Sequence, residues 1–347
     1  MGRWYLAPVR SSVQLRVSAP LPTVPRPHAI VSRIPRALPV VLLAVIAVGL
    51  VACARRPGAT GGPAGSPPAA ASLPSGPSSG SIVSGGRTRT YRLYVPPSLP
   101  AGTAVPLVVF LHGGFGDGEQ AEGAYGWDAA ADAGGFVVAY PDGVSKAWNG
   151  GTCCGVPQSQ GIDDVGFIED LVGHLEAEAS IDPARVFATG ISNGGIMAYR
   201  LACETRLFAA IGPDSATELV GCAGAQPVSV IAIHGLADTR VPFAGGMGSG
   251  VGHVDGPSVP SVIAGWRTID RCGDPTTVTS GDVTTSIASC PGGRAVELVT
   301  IAGAGHQWPG GKAMSPLVAK VLDLDQPSTA LDATAAVWSF FAAHPGS

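Results

Sequence analysis

Beyond residue 53 the sequence is short of positive charge. The first 53 residues hold six arginines and no acidic residue, so the rest of the chain carries 15 basic against 25 acidic side chains, a net charge of −10. Binding to nucleic acid or another anionic polymer calls for a basic patch or stripe, and this balance excludes such partners. Long apolar runs are also missing. The longest, "ALPVVLLAVIAVGLVAC" from Ala37 to Cys53, falls short of the about 20 residues that a spanning helix needs. There is no internal repeat, which removes solenoids and propellers. No Gly-rich phosphate loop is present, and no pair of cysteines stands at metal-ligand spacing with histidines. Neither a cofactor nor a metal is expected.

What is present at the front describes export. Arg33 and Arg36 precede the apolar run, which ends in Leu50-Val51-Ala52-Cys53. A basic flank, a short apolar core and small residues before a cleavage point make a secretory signal over residues 1–53. Its last four residues resemble a bacterial lipobox, which implies that Cys53 becomes the lipidated first residue of a mature, membrane-held extracytoplasmic protein. The stretch before Arg33 is long for such a signal, and a translation start downstream, for example at Val31, is the alternative. Residues 54–84 are Pro, Gly, Ser and Ala with almost no large apolar side chain. Such a segment buries too little to fold and is expected to be a disordered linker, spanning on the order of 30 Å. One α/β domain is expected over residues 85–347.

Past Cys53 six cysteines remain: Cys153, Cys154, Cys203, Cys222, Cys272 and Cys290. An even number in an exported chain suggests disulfides, and six cysteines allow 15 pairings. Proximity favours Cys272 with Cys290, across a Thr-rich hairpin, and Cys203 with Cys222. Cys153 and Cys154 are left to each other or reduced. Buried free thiols are the alternative.

The domain alternates strand and helix. "TRTYRLYVP" (88–96) alternates like an edge strand. "PLVVFLHGG" (106–114) and "GFVVAYPDG" (135–143) contain the unbroken apolar runs of strands buried on both faces. Residues 119–133 are Ala-rich and helical in pattern, and Asp163 and Asp164 stand where a cap and a first turn belong, before "VGFIEDLVGHLEAE". "ARVFATG" leads into the helical "GGIMAYRLACE". "LFAAIGPDS", "VSVIAIHG" and "AVELVTIAG" are further strands, and "TALDATAAVWSFFAAH" is an amphipathic helix. The alternation predicts an α/β fold with a mostly parallel central sheet and helices on both faces.

Two stretches fit the serine-hydrolase pattern G-x-S-x-G: Gly76–Gly80 and Gly190–Gly194. With 49 glycines in the chain, chance alone supplies roughly half a match, so context must decide. The pattern means a nucleophile only between a buried strand and a helix, where the serine projects from the sheet edge. Ser78 lies in the linker composition. Ser192 lies between "RVFA" and "GGIMAYRLA"; the competing reading is a serine that merely caps the helix. A serine hydroxyl needs a base to take its proton and a carboxylate to hold that base. In the α/β-hydrolase order the acid and then the histidine follow the serine. Asp238, just past strand-end His234, is the expected acid. Asp214 comes one strand too early, and Asp255, Asp270, Asp274 and Asp282 look like solvated charges. His306, in the Gly-rich loop after the last strand, is the expected base; His234 is more suited to ordering a loop. The oxyanion hole needs two N–H donors. Asn193 follows the nucleophile, and Gly114 of "LHGGFGDG" is the second choice, with Phe115 next. Trp148 and Trp308 lie in loops expected to border the site, where they could pack an aromatic acyl or sugar group; core packing is the ordinary alternative for a tryptophan.

"LHGGFGDG", "WNGGTCCG", "IDDVGFIEDLV", "IDPARVFATGISNGG", "HGLADTRVP" and "GAGHQWPGG", in this order, resemble the polyhydroxybutyrate depolymerase and feruloyl esterase family. The likeness spans nearly all of the domain past residue 84. It implies an α/β-hydrolase fold, a secreted bacterial lipoprotein branch, and Ser192, Asp238 and His306 as the triad. The chain ends with its final helix, with no adsorption domain after it. The expectation is therefore a monomeric, lipid-anchored serine carboxylesterase acting on acetyl, short-chain acyl or hydroxycinnamoyl esters. Polyhydroxybutyrate or its oligomers are the alternative substrate. A peptidase on the same fold and a non-catalytic envelope binding protein are the competing classes.

Overall fold

The fold is known from a computed structural model that describes residues 73–100, 102–313, 315–321 and 324–346; structural statements concern these residues. Cys53, the predicted signal and most of the predicted linker lie outside them.

Twelve strands and eight helices follow one another. β1 (Gly76–Ser84), β2 (Arg87–Val95) and β3 (Val105–Leu111) come first. Helices α1 (Gly118–Ala124) and α2 (Trp127–Gly134) precede β4 (Val137–Pro141). Next are α3 (Gly155–Ser159), α4 (Asp164–Glu178), β5 (Ile181–Ile191) and α5 (Asn193–Glu204). β6 (Ala210–Asp214) and β7 (Ser229–Gly235) follow, then the two-residue strands β8 (Gly246–Met247) and β9 (Asp255–Gly256), which pair with each other. The remainder is α6 (Val259–Ile269), β10 (Thr276–Ser280), β11 (Val283–Ser289), β12 (Ala295–Ile301), α7 (Pro316–Val321) and α8 (Ala333–Ala343).

The main sheet has the order β1-β2-β4-β3-β5-β6-β7-β12-β11-β10. The six inner strands from β4 to β12 are parallel, and an antiparallel pair closes each edge. Side chains of the inner strands alternate between two cores. Leu107, Val109 and Leu111 face the side packed by α4, α5 and α6, whereas Val108 and Phe110 face the side packed by α1, α2 and α8. Both faces are dry, which is why these strands are apolar without alternation.

Two expectations change. The linker predicted to reach residue 84 stops sooner, because Gly76–Ser84 pairs antiparallel with all nine residues of β2. Backbone pairing, not side-chain burial, makes this strand, so its composition hid it. Ser78 thus sits in β1, with its hydroxyl donating to Leu93 O at 3.4 Å, and no helix follows it. β2, in turn, lies inside the sheet edge. The sulfurs of Cys153 and Cys154, Cys203 and Cys222, and Cys272 and Cys290 are joined.

The chain order reverses at β3: β4 lies on one side of it and β5 on the other. The connections leaving β3 and β5 therefore run to helices on opposite faces, α1 and α5, and meet at the carboxyl ends of the strands, the usual place for a site in such sheets.

Candidate active site

Ser192 stands at that end of the sheet. It links the end of β5 to the start of α5 with φ 56° and ψ −121°, a conformation that side chains other than glycine seldom adopt and that concentrates at functional sites. Its N–H donates to Asp214 O at 2.9 Å, and its carbonyl accepts from Ile196 N at 2.9 Å. Its hydroxyl makes no capping bond to α5, which removes the capping role as the reason for a serine here. The turn is tight against β3. A Cβ on Gly194 would overlap the backbone carbonyls of Leu111 and His112, so only glycine fits there.

Asp238 follows β7 and is 5% exposed. Its Oδ1 accepts the Arg240 and Val241 N–H groups at 2.8 and 2.9 Å. Its Oδ2 is 2.7 Å from Nδ1 of His306, on the loop after β12. Burial alone would raise the Asp238 carboxyl, but the hydrogen bond and charge of His306, the Val241 amide and His234 together hold it below the ordinary range. Asp214, fully buried at the end of β6, goes the other way: burial pushes it well above the ordinary carboxyl range, and the charge on Asp238 adds to this. The two acids are thus pushed in opposite directions, and the one held low is bonded to the histidine. His234 is buried and donates from Nε2 to Val241 O at 2.8 Å, which closes the turn that carries Asp238; the same nitrogen is 3.5 Å from Asp238 Oδ2. Burial lowers its pKa.

The loop after β3 lies beside the serine: a Cβ on Gly113 would be 3.7 Å from Ser192 Cβ. Gly114 is exposed, with open space where its side chain would be. Asn193 opens α5 and is buried. The structure thus brings His306 onto Asp238, and Gly113 against Ser192. His112 is fully buried, and burial keeps its imidazole below the ordinary range. Its tautomer follows from its partners. Gly143 N–H donates to Nε2 at 2.9 Å, so Nδ1 carries the proton and donates to Gly113 O at 2.8 Å.

The two tryptophans expected to line a pocket are core residues. Trp308 is 1% exposed and packs on Phe110, Tyr125 and Trp127. Its indole donates to Thr334 Oγ1 at 3.0 Å, which anchors the histidine loop to α8. Trp148 is completely buried against His112 and Phe167. In both cases a loop position in sequence is a buried position in space, because the loops fold back onto the sheet.

Three features escaped the sequence. The His306 N–H donates to Asp325 Oδ2 at 2.7 Å, a tie from 19 residues downstream. Asp164 is more than a first-turn residue of α4: it is buried, paired with Arg89 at 2.8 Å, and accepts from Asn149 N at 2.8 Å. Asp270 is buried and paired with Arg294. The surviving signals were a glycine before His306, an arginine within β2 and another just before β12, none of them specific. Among the described residues, Cys203, Glu218 and Cys222 bring metal-ligand types together, and the two sulfurs are bonded to each other.

Strand order and the strained serine between β5 and α5 define an α/β-hydrolase fold. Residues 89–263 match the family model described as Esterase PHB depolymerase. The chain is 32% identical over 262 residues to the NocK protein of Nocardia uniformis subsp. tsuyamanensis, named as an esterase, covering 66% of this chain and 73% of that one. It is 31% identical over 234 residues to feruloyl esterase B of Piromyces equi, covering 62% of this chain and 42% of the relative. An acetyl xylan esterase structure from Aspergillus awamori superposes with a TM-score of 0.51 at 17% identity, covering 66% of this chain and 94% of that one. The chain belongs to the Esterase PHB depolymerase family. It is a serine-hydrolase-type esterase.

Proposed function

We propose that this protein is an exported serine carboxylesterase in which Ser192 is the nucleophile, His306 the general base and Asp238 the acid that orients it. The observation that carries the reading is the 2.7 Å bond from His306 Nδ1 to the buried Asp238 carboxylate. That bond leaves Nε2 as the ring nitrogen available to a serine. Ser192 attacks the ester carbonyl, His306 takes its proton and then delivers it to the leaving alcohol, and an acyl-enzyme remains. Water, activated by the same histidine, releases the acid. Asn193 and Gly114 N–H groups receive the oxyanion.

The substrates are proposed to be acetyl, short-chain acyl or hydroxycinnamoyl esters. The names of relatives support this, a feruloyl esterase at 31% identity among them. Cys53 is proposed as the lipidated anchor of an extracytoplasmic monomer, and three disulfides favour an oxidising compartment.

Replacement tests the triad. Ser192→Ala and His306→Ala should each lower ester turnover roughly 10⁴-fold or more, and the double variant should be little worse, because the residues act as a unit. Ser78→Ala should be unchanged. Normal turnover in Ser192→Ala overturns the proposal. A panel of p-nitrophenyl, feruloyl, acetyl-sugar and peptide substrates, with a polyhydroxybutyrate suspension, separates the substrate classes. Membrane fractionation of Cys53→Ala against wild type tests the anchor.

A further inference from the structure

The two proposed oxyanion donors sit on different loops, one after β3 and one after β5, and no covalent link holds them together. A third loop joins them. The Asn193 side-chain amide is buried and bonds twice to one residue: Oδ1 accepts from Trp148 N at 2.6 Å and Nδ2 donates to Trp148 O at 3.0 Å. The Trp148 indole N–H donates to His112 O at 3.0 Å. His112 in turn holds Gly113 O through Nδ1. That carbonyl belongs to the same planar peptide as the Gly114 N–H, so fixing one fixes the direction of the other. Phe115 N also donates to Lys146 O at 2.8 Å.

The Trp148 loop is itself held from behind. Asn149 N donates to Asp164, which is ion-paired with Arg89 on β2, and Asn149 O accepts from Arg200 on α5 at 2.7 Å. Cys154 N donates to Trp148 O at 3.2 Å.

We infer that Trp148 is a positioning residue: its backbone and indole clamp Asn193 and His112 so that the Asn193 and Gly114 N–H groups converge on one oxyanion. This rests on the serine-esterase reading above. An ordinary core tryptophan needs only its shape. Here the N–H, the carbonyl and the indole of one fully buried residue are each spent on a group next to a proposed donor. Oxyanion stabilisation depends on donors fixed before the charge develops, so the clamp acts on the transition state more than on substrate binding.

Two variants test it without removing either donor. Asn193→Ala keeps the backbone N–H and loses both bonds to Trp148. Trp148→Phe keeps an aromatic ring and loses the indole donor. Each should lower kcat by roughly 10- to 100-fold, less than the loss of a donor and comparable to a misplacement near 1 Å. KM should stay within about threefold. Affinity for a trifluoromethyl ketone, whose serine adduct carries an oxyanion, should fall by the same factor as kcat/KM. The double variant should lose little more than the worse single one, since both breaks cut the same clamp. Wild-type kcat in either folded variant, a loss confined to KM, or independent multiplying losses would overturn the inference. Should Asn193→Ala fail to fold, Trp148→Phe carries the test. A dead Ser192→Ala beside fully active Asn193→Ala and Trp148→Phe refutes the clamp alone. An active Ser192→Ala refutes the underlying reading.

Discussion

A Cβ on Gly305 would overlap the Asp325 carboxylate, so a side chain there would push that carboxylate out of place. That carboxylate accepts the N–H of His306, so one aspartate sets the backbone of the proposed base while another, Asp238, sets its ring. Removing the backbone tie should let the loop drift. Asp325→Ala is expected to lower kcat roughly tenfold with a smaller change in KM, as a misplaced group does. Steady-state kinetics beside thermal melting checks this; an unchanged kcat at unchanged Tm would assign Asp325 to the loop's stability alone. At this scale the positions of Ser192, Asp238 and His306 just past β5, β7 and β12 were legible, because each follows an apolar run; their catalytic roles belong to the proposed function. Asp325 was not, since it acts on a backbone N–H across α7 and looks like any loop aspartate. Trp148 and Trp308 were read by their loop neighbours, but depth in the fold is set by where a loop returns.

Elements differed in legibility for an equally physical reason. β3, β4, β5, β6, β7 and β12 showed themselves as apolar runs, because each is covered on both faces. β1 alternates exposed and half-buried residues up to a buried Ser84, and seven of its nine residues are Gly, Pro or Ser; its pairing partner, more than its own composition, makes it a strand. The Ala-rich 119–133 pattern became two helices, α1 and α2, because Gly126 adopts φ 73° between them. The hairpin of β10 and β11 was visible in its threonines. It forms the far edge of the sheet, and Cys272–Cys290 closes it over 18 residues. Opening that loop in the unfolded chain costs about 3 kcal/mol of stability by the chain-entropy account. Replacing both cysteines by serine should lower stability by about that amount in a denaturant titration. Turnover at 25 °C should not change, because β5, β7 and β12 carry the proposed triad and are left intact.

At the scale of the whole molecule, three carboxyls, buried Asp270 and half-buried Asp128 and Glu218, share one sign. Burial raises Asp128 and Asp270 to about 6 and Glu218 to about 7. A folded pKa above the unfolded value of about 4 means that the folded state binds the proton more tightly. The stability this gives is present in full below pH 4 and is lost as pH rises through 6 to 7. Asp238, held low, works in the opposite direction at acid pH. Self-repulsion of an acidic chain adds to the loss at high pH. The Tm of the domain should therefore fall by a few degrees between about pH 5 and pH 8, the groups being partly screened by solvent. Glu218→Gln should flatten that slope. A Tm that climbs over the same range, or a slope indifferent to Glu218→Gln, would contradict this assignment.

The outermost strand also gives the molecule a front and a back. β1 runs against β2, and β2 runs against β4, so β1 points the same way as the parallel strands. Gly76 opposes Val95, at the level where β4 begins. The polypeptide thus enters the sheet at the edge where the parallel strands start, while Ser192 lies where they end. The junction at Gly76 and the proposed nucleophile thus occupy opposite ends of the sheet.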